Sequence, residues 1–202
     1  MSSEPTVTSE PGPSPSGSAE ATIGPRLRIL VLALPVLLVV AVVAIAGVLV
    51  RTPDDSPVAL GYVQAPLADS DACTRLLDAV PDSLGSESPR APLADPAPVA
   101  AAAWRFASQS PTAPTEIVLR CGLDRPSEFT VAAPLQLVDD VEWFQISGAE
   151  QGFEASTWFA VDREVYVALT LPTGTGPEPI QLISDTITAT LPAQPIDPAP
   201  IG

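Results

Sequence analysis

The stretch Ile29–Val50 constrains this chain more than any other: ILVLALPVLLVVAVVAIAGVLV holds 22 residues without a charge, sixteen of them Leu, Ile or Val. As an α-helix rising about 1.5 Å per residue it is roughly 33 Å long, which matches a hydrocarbon core of about 30 Å. Each central Leu, Ile or Val contributes roughly −0.3 to −0.6 kcal/mol to insertion, so the sum favours the bilayer by several kcal/mol. A helix buried in a water-soluble core has no need of so much unbroken apolar surface. With its flanks, 26–51 is expected to form one transmembrane helix, and the rest of the chain must fold on either side of it.

Orientation is set by the flanking charges. Arg26 and Arg28 precede the run, whereas Arg51 comes after it and is itself succeeded by Asp54 and Asp55. The excess of arginine on the N-terminal side places that end in the cytoplasm and everything after the span outside the plasma membrane. Ala44-Ile45-Ala46 has the small-x-small form of a cleavage site, so removal of the segment after Ala46 is the competing reading. The apolar GVLV beyond it and the long polar lead-in favour an anchor. Residues 1–25, rich in Pro, Ser, Gly, Thr and Glu, lack the apolar surface that offsets ordering entropy, and are expected to be a disordered cytoplasmic tail.

Charge separates the two sides. Of the net −15, nothing belongs to residues 1–51, where three glutamates balance three arginines; residues 52–202 carry 21 acids against six arginines. A domain so acidic repels phosphate backbones and anionic lipid surfaces, which excludes nucleic acid as a partner. Cys73 and Cys121 both lie beyond the span. On an oxidising side an even count reads as a disulfide, with two buried thiols as the alternative. A bridge there closes a loop worth roughly 4 kcal/mol in the chain-entropy model.

Beyond the membrane, 52–68 has prolines at 53, 57 and 66 and reads as an extended extracytoplasmic spacer. Ser70–Val80 predicts a short helix: Ser70 caps it, Asp71 suits its positive end, and Cys73, Leu76, Leu77 and Val80 share one face. After a proline-rich connection over 81–98 the pattern turns to strands, expected at 99–106, 115–121, 128–132, 134–138, 141–147, 153–161 and 164–171. Short links between them imply an antiparallel meander, with Asp162-Arg163 as a tight hairpin. Thr175-Gly-Pro-Glu178 has the form of a capping box, and Ile180, Ile183, Ile187 and Leu191 succeed it at helical spacing. Residues 192–202 are proline-rich and expected to be disordered. The outer domain, 69–191, is therefore read as α+β, an antiparallel sheet with a helix at each end.

AAAWRF at 101–106, EIVLRCGLDRP at 116–126, PLQLVDDVEWFQI at 134–146, TWFAVDREVYVALTL at 157–171 and PIQLISDTI at 179–187 together resemble an actinobacterial family catalogued as domain of unknown function 3515. The resemblance covers roughly 70–191 and implies an N-terminal span or export signal with the same outer architecture. Relatives often carry Gly after the first tryptophan, where this chain has Arg105. The resemblance implies no catalytic residue.

Chemistry is bounded by what is missing. The chain has no His and no Lys. Imidazole triads, histidine-based zinc sites, Schiff bases and phosphate-binding P-loops are all excluded, and two cysteines cannot build a four-thiolate zinc site. Asp139, Asp140 and Glu142 cluster ahead of Trp143, and Glu150 and Glu154 come after it; a glycosidase pair, or a calcium site at Asp139-Asp140, could be drawn from them, although adjacent acids in a turn more often face solvent. Arg120 and Arg125 flank Cys121 and either suit a carboxylate ligand or, as is commoner in so acidic a domain, pair with local acids. Trp104, Trp143 and Trp158 would serve either as an aromatic platform or as core. The expectation is a non-catalytic cell-envelope module, without metal or cofactor, that binds a protein or cell-wall component. The alternatives are a carboxylate-dependent hydrolase of envelope glycan and a carrier of an apolar ligand.

Overall fold

The computed structural model describes residues 34, 37–45, 56–86, 88–107 and 114–201. The chain divides into two compact units, Met1–Pro53 and Asp54–Gly202. In the first, the described residues 34 and 37–45 are helical. Among the described residues no helix is long and apolar enough to cross a membrane. The expected tail over 1–25, most of the expected span over 26–51, and the start of the expected spacer lie outside the described residues.

The second unit is α+β. Its seven strands are β1 (Arg90–Ala91), β2 (Ala101–Arg105), β3 (Glu116–Leu123), β4 (Leu135–Val138), β5 (Val141–Ser147), β6 (Ala155–Ala160) and β7 (Tyr166–Pro172). Its helices are α1 (Asp71–Ala79) and α2 (Glu178–Thr190). The sheet order is β1-β2-β3-β7-β6-β5-β4, and every neighbouring pair is antiparallel. Two meanders, β1–β3 and β4–β7, are thus joined along β3 and β7, where sequence pattern alone implies one continuous meander.

Alternation along the strands sets the faces. Cross-strand partners share a face, so Trp104, Ile117, Leu119, Cys121, Trp143, Val167 and Leu169 form one apolar layer against Cys73 and Leu76 of α1 and Ile183 and Ile187 of α2. Cys73 and Cys121 form a disulfide that staples α1 to β3. The indole N–H groups of the two buried tryptophans are satisfied: Trp104 donates to Pro81 O at 2.9 Å and Trp143 to Ser184 Oγ at 3.0 Å. On the opposite face two smaller clusters form, one around Val58, Ala91 and Ala103, the other around Phe129, Phe144 and Val161.

Several local expectations need correction. Residues 128–132 form turns, because Phe129 N and Ala133 N are satisfied locally by Pro126 O and Thr130 O; Phe129 plugs the second cluster, its ring 5.6 Å from that of Phe144. The capping box is absent. Thr175 Oγ1 turns back to Pro172 O at 2.7 Å, Pro177 takes the cap position without a side-chain bond, and the Glu178 carboxylate lies against Gly85. Over its described part the spacer lies on the domain: Val58 is buried, bridges β-fashion to Leu93, and Leu67 N donates to Gly122 O at 3.0 Å. The C-terminal residues are also bound, through Gln194 N to Asp162 O, Ala199 N to Phe129 O, and Arg125 to Asp197. Proline-rich segments lack the patterned apolar side chains that reveal packing in sequence, yet their free carbonyls and amides find partners at the sheet margins.

Asp162-Arg163 is not a two-residue hairpin, since β6 ends at Ala160 and β7 begins only at Tyr166. The link between β6 and β7 is buried, with Arg163 Nη1 2.6 Å from Asp162 Oδ2 and side-chain exposures of 1% and 10%. Arg163 also donates to the carbonyls of Asp162 and Asp140, each at 2.9 Å. Asp139 and Asp140 turn β4 into β5 with φ of 45° and 63°, the left-handed pair of a two-residue hairpin. Arg163 thereby ties that turn to the core.

Candidate functional site

The five residues singled out from sequence are dispersed. Trp104 and Trp143 are fully enclosed in the helix-covered layer and present no surface, so the three tryptophans do not make a common platform. Arg125 pairs with Asp197 at 2.9 Å. Trp158 and Arg120 each line a separate cleft.

Asp139 and Asp140 are exposed turn residues whose carbonyl oxygens accept from Thr188 and Arg163, and Glu142 stands opposite Leu137 across β4–β5. Among the described residues no group of three or more cysteine and carboxylate side chains is placed to hold a metal ion.

The Trp158 cleft, of about 660 Å³, opens where β4, β5 and β6 extend past the first turn of α2. Register builds it. Gln145 on β5 is the direct cross-strand partner of Trp158 on β6, and Gln136 on β4 pairs with Trp143, which puts all of them on the helix-covered face. Gln181 from α2, Ser156 from β6 and the hydroxyls of Thr173 and Thr175 complete the polar lining, in which Asp139 is the one charged residue. Gln136, Gln145 and Gln181 are exposed and Trp158 is half-buried. Among the described residues the Trp158 indole N–H has no acceptor, unlike those of Trp104 and Trp143. The loop Thr173–Gly176 walls off a further cleft of about 590 Å³. Sequence reasoning missed the three glutamines, which are scattered over 45 positions; the one available signal was Gln145 at i+2 from the inward-facing Trp143.

The Arg120 cleft, of about 440 Å³, lies at the C-terminal end of β3. Gly122 adopts φ 82°, shifts the register of β3 against β7, and lets the backbone at Leu67 and Ala68 approach so closely that a Cβ would collide with it. That approach brings residues 60–69 over the strand end as one wall, with 96–100 as the other. Arg120 donates to Gly61 O at 3.0 Å. Burial pulls its guanidinium below the ordinary arginine range.

The family model described as "Protein of unknown function (DUF3515)" matches residues 32–196. No curated protein and no solved structure matches the chain.

Proposed function

The chain belongs to this family of unknown function, and on that premise we propose that it is a non-catalytic cell-envelope module that holds a neutral glycan of the cell wall in the Trp158 cleft. The observation that carries the reading is the cleft's chemistry: an accessible indole beside three uncharged side-chain amides with almost no formal charge. A sugar ring offers an apolar face of C–H groups that packs on an aromatic plane. Its hydroxyls each need both a donor and an acceptor, which a glutamine amide supplies together. Carboxylate or phosphate ligands would instead call for arginine at this place.

In this reading residues 26–51 cross the plasma membrane once, the N-terminus is cytoplasmic, and the folded unit lies outside. The uncharged run Ile29–Val50 supports the span, and the Cys73–Cys121 bridge fits an oxidising compartment. Protease added to intact cells should remove the outer unit; an intact protein recovered from the cytosolic fraction would overturn the placement.

Binding is tested with the full chain in lipid nanodiscs and soluble N-acetylhexosamine oligosaccharides. Trp158 is the one tryptophan that is not fully buried, so acrylamide quenching of fluorescence reports on it. Oligosaccharide should protect the fluorescence, and Gln145→Ala with Gln181→Ala, which strips the cleft of two amides and keeps the Trp158 reporter, should abolish the protection. Absence of protection, or protection that survives the double glutamine variant, would refute the assignment.

A further inference from the structure

The arginines of this acidic domain are nearly all accounted for. Arg75 pairs with Glu164, Arg105 with Glu116, Arg125 with Asp197 and Arg163 with Asp162. Arg90 lies over the Trp104 ring at 5.1 Å, within the field of Asp82. Among the described residues Arg120 is the one arginine with neither an acid nor a ring for a partner. It uses a single donor, to Gly61 O, out of the five a guanidinium carries. A partly desolvated cation without a counter-charge is unfavourable, and in a domain with 21 acids the local supply of partners is not the constraint.

What surrounds Arg120 is apolar. The cleft is walled by Leu60, Val63, Ala97, Pro98, Val99 and Leu123, and Asp69 is its only other charged residue, with no ion pair to Arg120. At its rim Tyr62, Val99 and Val63 are 92%, 75% and 45% exposed. Such side chains around a concavity are surface that a ligand would cover. The volume of about 440 Å³ falls in the range of small-molecule sites, roughly 300–1,000 Å³, and toward its lower end.

We propose that the Arg120 cleft is a second, independent binding site, which takes a single-chain amphiphile by pairing its carboxylate or phosphate head with the Arg120 guanidinium and covering its apolar chain with Tyr62, Val63 and Val99. The planar fork suits two oxygens of either head group. The acidic remainder of the domain makes this cleft the place where such an anion finds a matching charge.

The test uses the full chain in lipid nanodiscs and follows modification of each arginine by phenylglyoxal with peptide mass mapping. Octanoate and octyl phosphate are the two anionic probes, octanol the neutral one, and the exposed Arg125 is the internal reference. Either anion should slow modification of Arg120 about fivefold once it stands at about four times its dissociation constant. Arg125 should be unaffected, and octanol should have no effect. Protection by octanoate alone assigns a carboxylate head, and protection by octyl phosphate alone a phosphate. Asp69→Asn, which removes the one repelling charge, should lower the concentration of anion required. Equal protection by octanol, or none by either anion, would overturn the proposal. Neither result bears on the Trp158 cleft, whose readout is separate.

Discussion

Replacing Arg163 with methionine removes the cation from the most enclosed ion pair among the described residues and leaves Asp162 behind. The pair is 2.6 Å apart, with side chains 1% and 10% exposed, so solvent cannot take over the guanidinium's role. Breaking a buried pair from one side costs about 3–5 kcal/mol, because an uncompensated charge remains. The Asp140 carbonyl also loses its donor, whereas that of Asp162 keeps Gln194 N. Asp162 Oδ1 and Arg163 Nε lack partners even in the native structure, so the pair is imperfectly satisfied and the lower half of that range is expected. A loss of about 3 kcal/mol is a large share of a total stability of about 5–15 kcal/mol. With a urea slope of about 2 kcal/mol per M it moves the midpoint by roughly 1.5 M. The assay is urea unfolding of residues 54–202, a compact unit in itself, monitored by circular dichroism. The double variant Asp162→Leu with Arg163→Met should recover most of the loss, since apolar replacement of both partners is often neutral or better. Asp140 lies in an exposed turn where water can reach its carbonyl, so recovery should fall short by no more than about 1 kcal/mol. A single variant costing under about 1 kcal/mol, or a double variant costing the sum of its singles, would refute the reasoning.

Three other perturbations probe the remaining supports. Gly122→Ala places a side chain at φ 82° and against the backbone at Leu67 and Ala68, so a loss of about 1–3 kcal/mol is expected in the same urea assay, together with faster phenylglyoxal modification of Arg120 as its wall lifts. Changing Cys73 and Cys121 together to serine removes a bridge across a sequence separation of 48 and should cost about 2–5 kcal/mol; an unchanged midpoint would show that α1 is held by packing alone. Burial raises the Tyr166 phenol above its ordinary 10.0, with Arg125 pulling down and Asp197 pushing up. The folded state therefore keeps a proton that the unfolded chain releases, and this contribution is intact below the ordinary tyrosine value and lost as pH climbs through the folded one. Tyr166→Phe should flatten the alkaline fall in urea midpoint, and an unchanged slope would contradict the shift.

How much was legible depended on the range of the interaction. Ser70 as a cap, realised through Cys73 N at 3.3 Å, and the stripe Ile180, Ile183, Ile187 and Leu191 rest on residues within a few turns of one another, where spacing along the chain is spacing in space. The bridge between Cys73 and Cys121 was legible because only two cysteines exist. The capping box failed although its pattern is local, since the helix begins two residues later, with Pro177 at the cap, and Thr175 Oγ1 lies outside it and donates back to Pro172 O.

The candidate sites lie at the other extreme. Arg120 was visible as a cation near a cysteine, but its lack of an acid became evident only when the other described arginines could be seen with theirs. The glutamines around Trp158 come from β4, β5 and α2, and nothing in their separate neighbourhoods ties them together. Asp162-Arg163 read only as a tight hairpin between strands, and its burial depends on distant segments, the tail at Gln194 and α2 at Thr188.

From the amino acids alone came the uncharged run near the start, the acidity of residues 52–202, the periodicities of strands and helices, and the exclusion of imidazole and amine chemistry. Tertiary structure decided the strand order, the burial of two tryptophans and the exposure of a third, and which arginine lacks an acid. The division has one physical cause: composition and period are properties of neighbouring residues, whereas desolvation and pairing depend on segments that meet only once the chain has closed on itself.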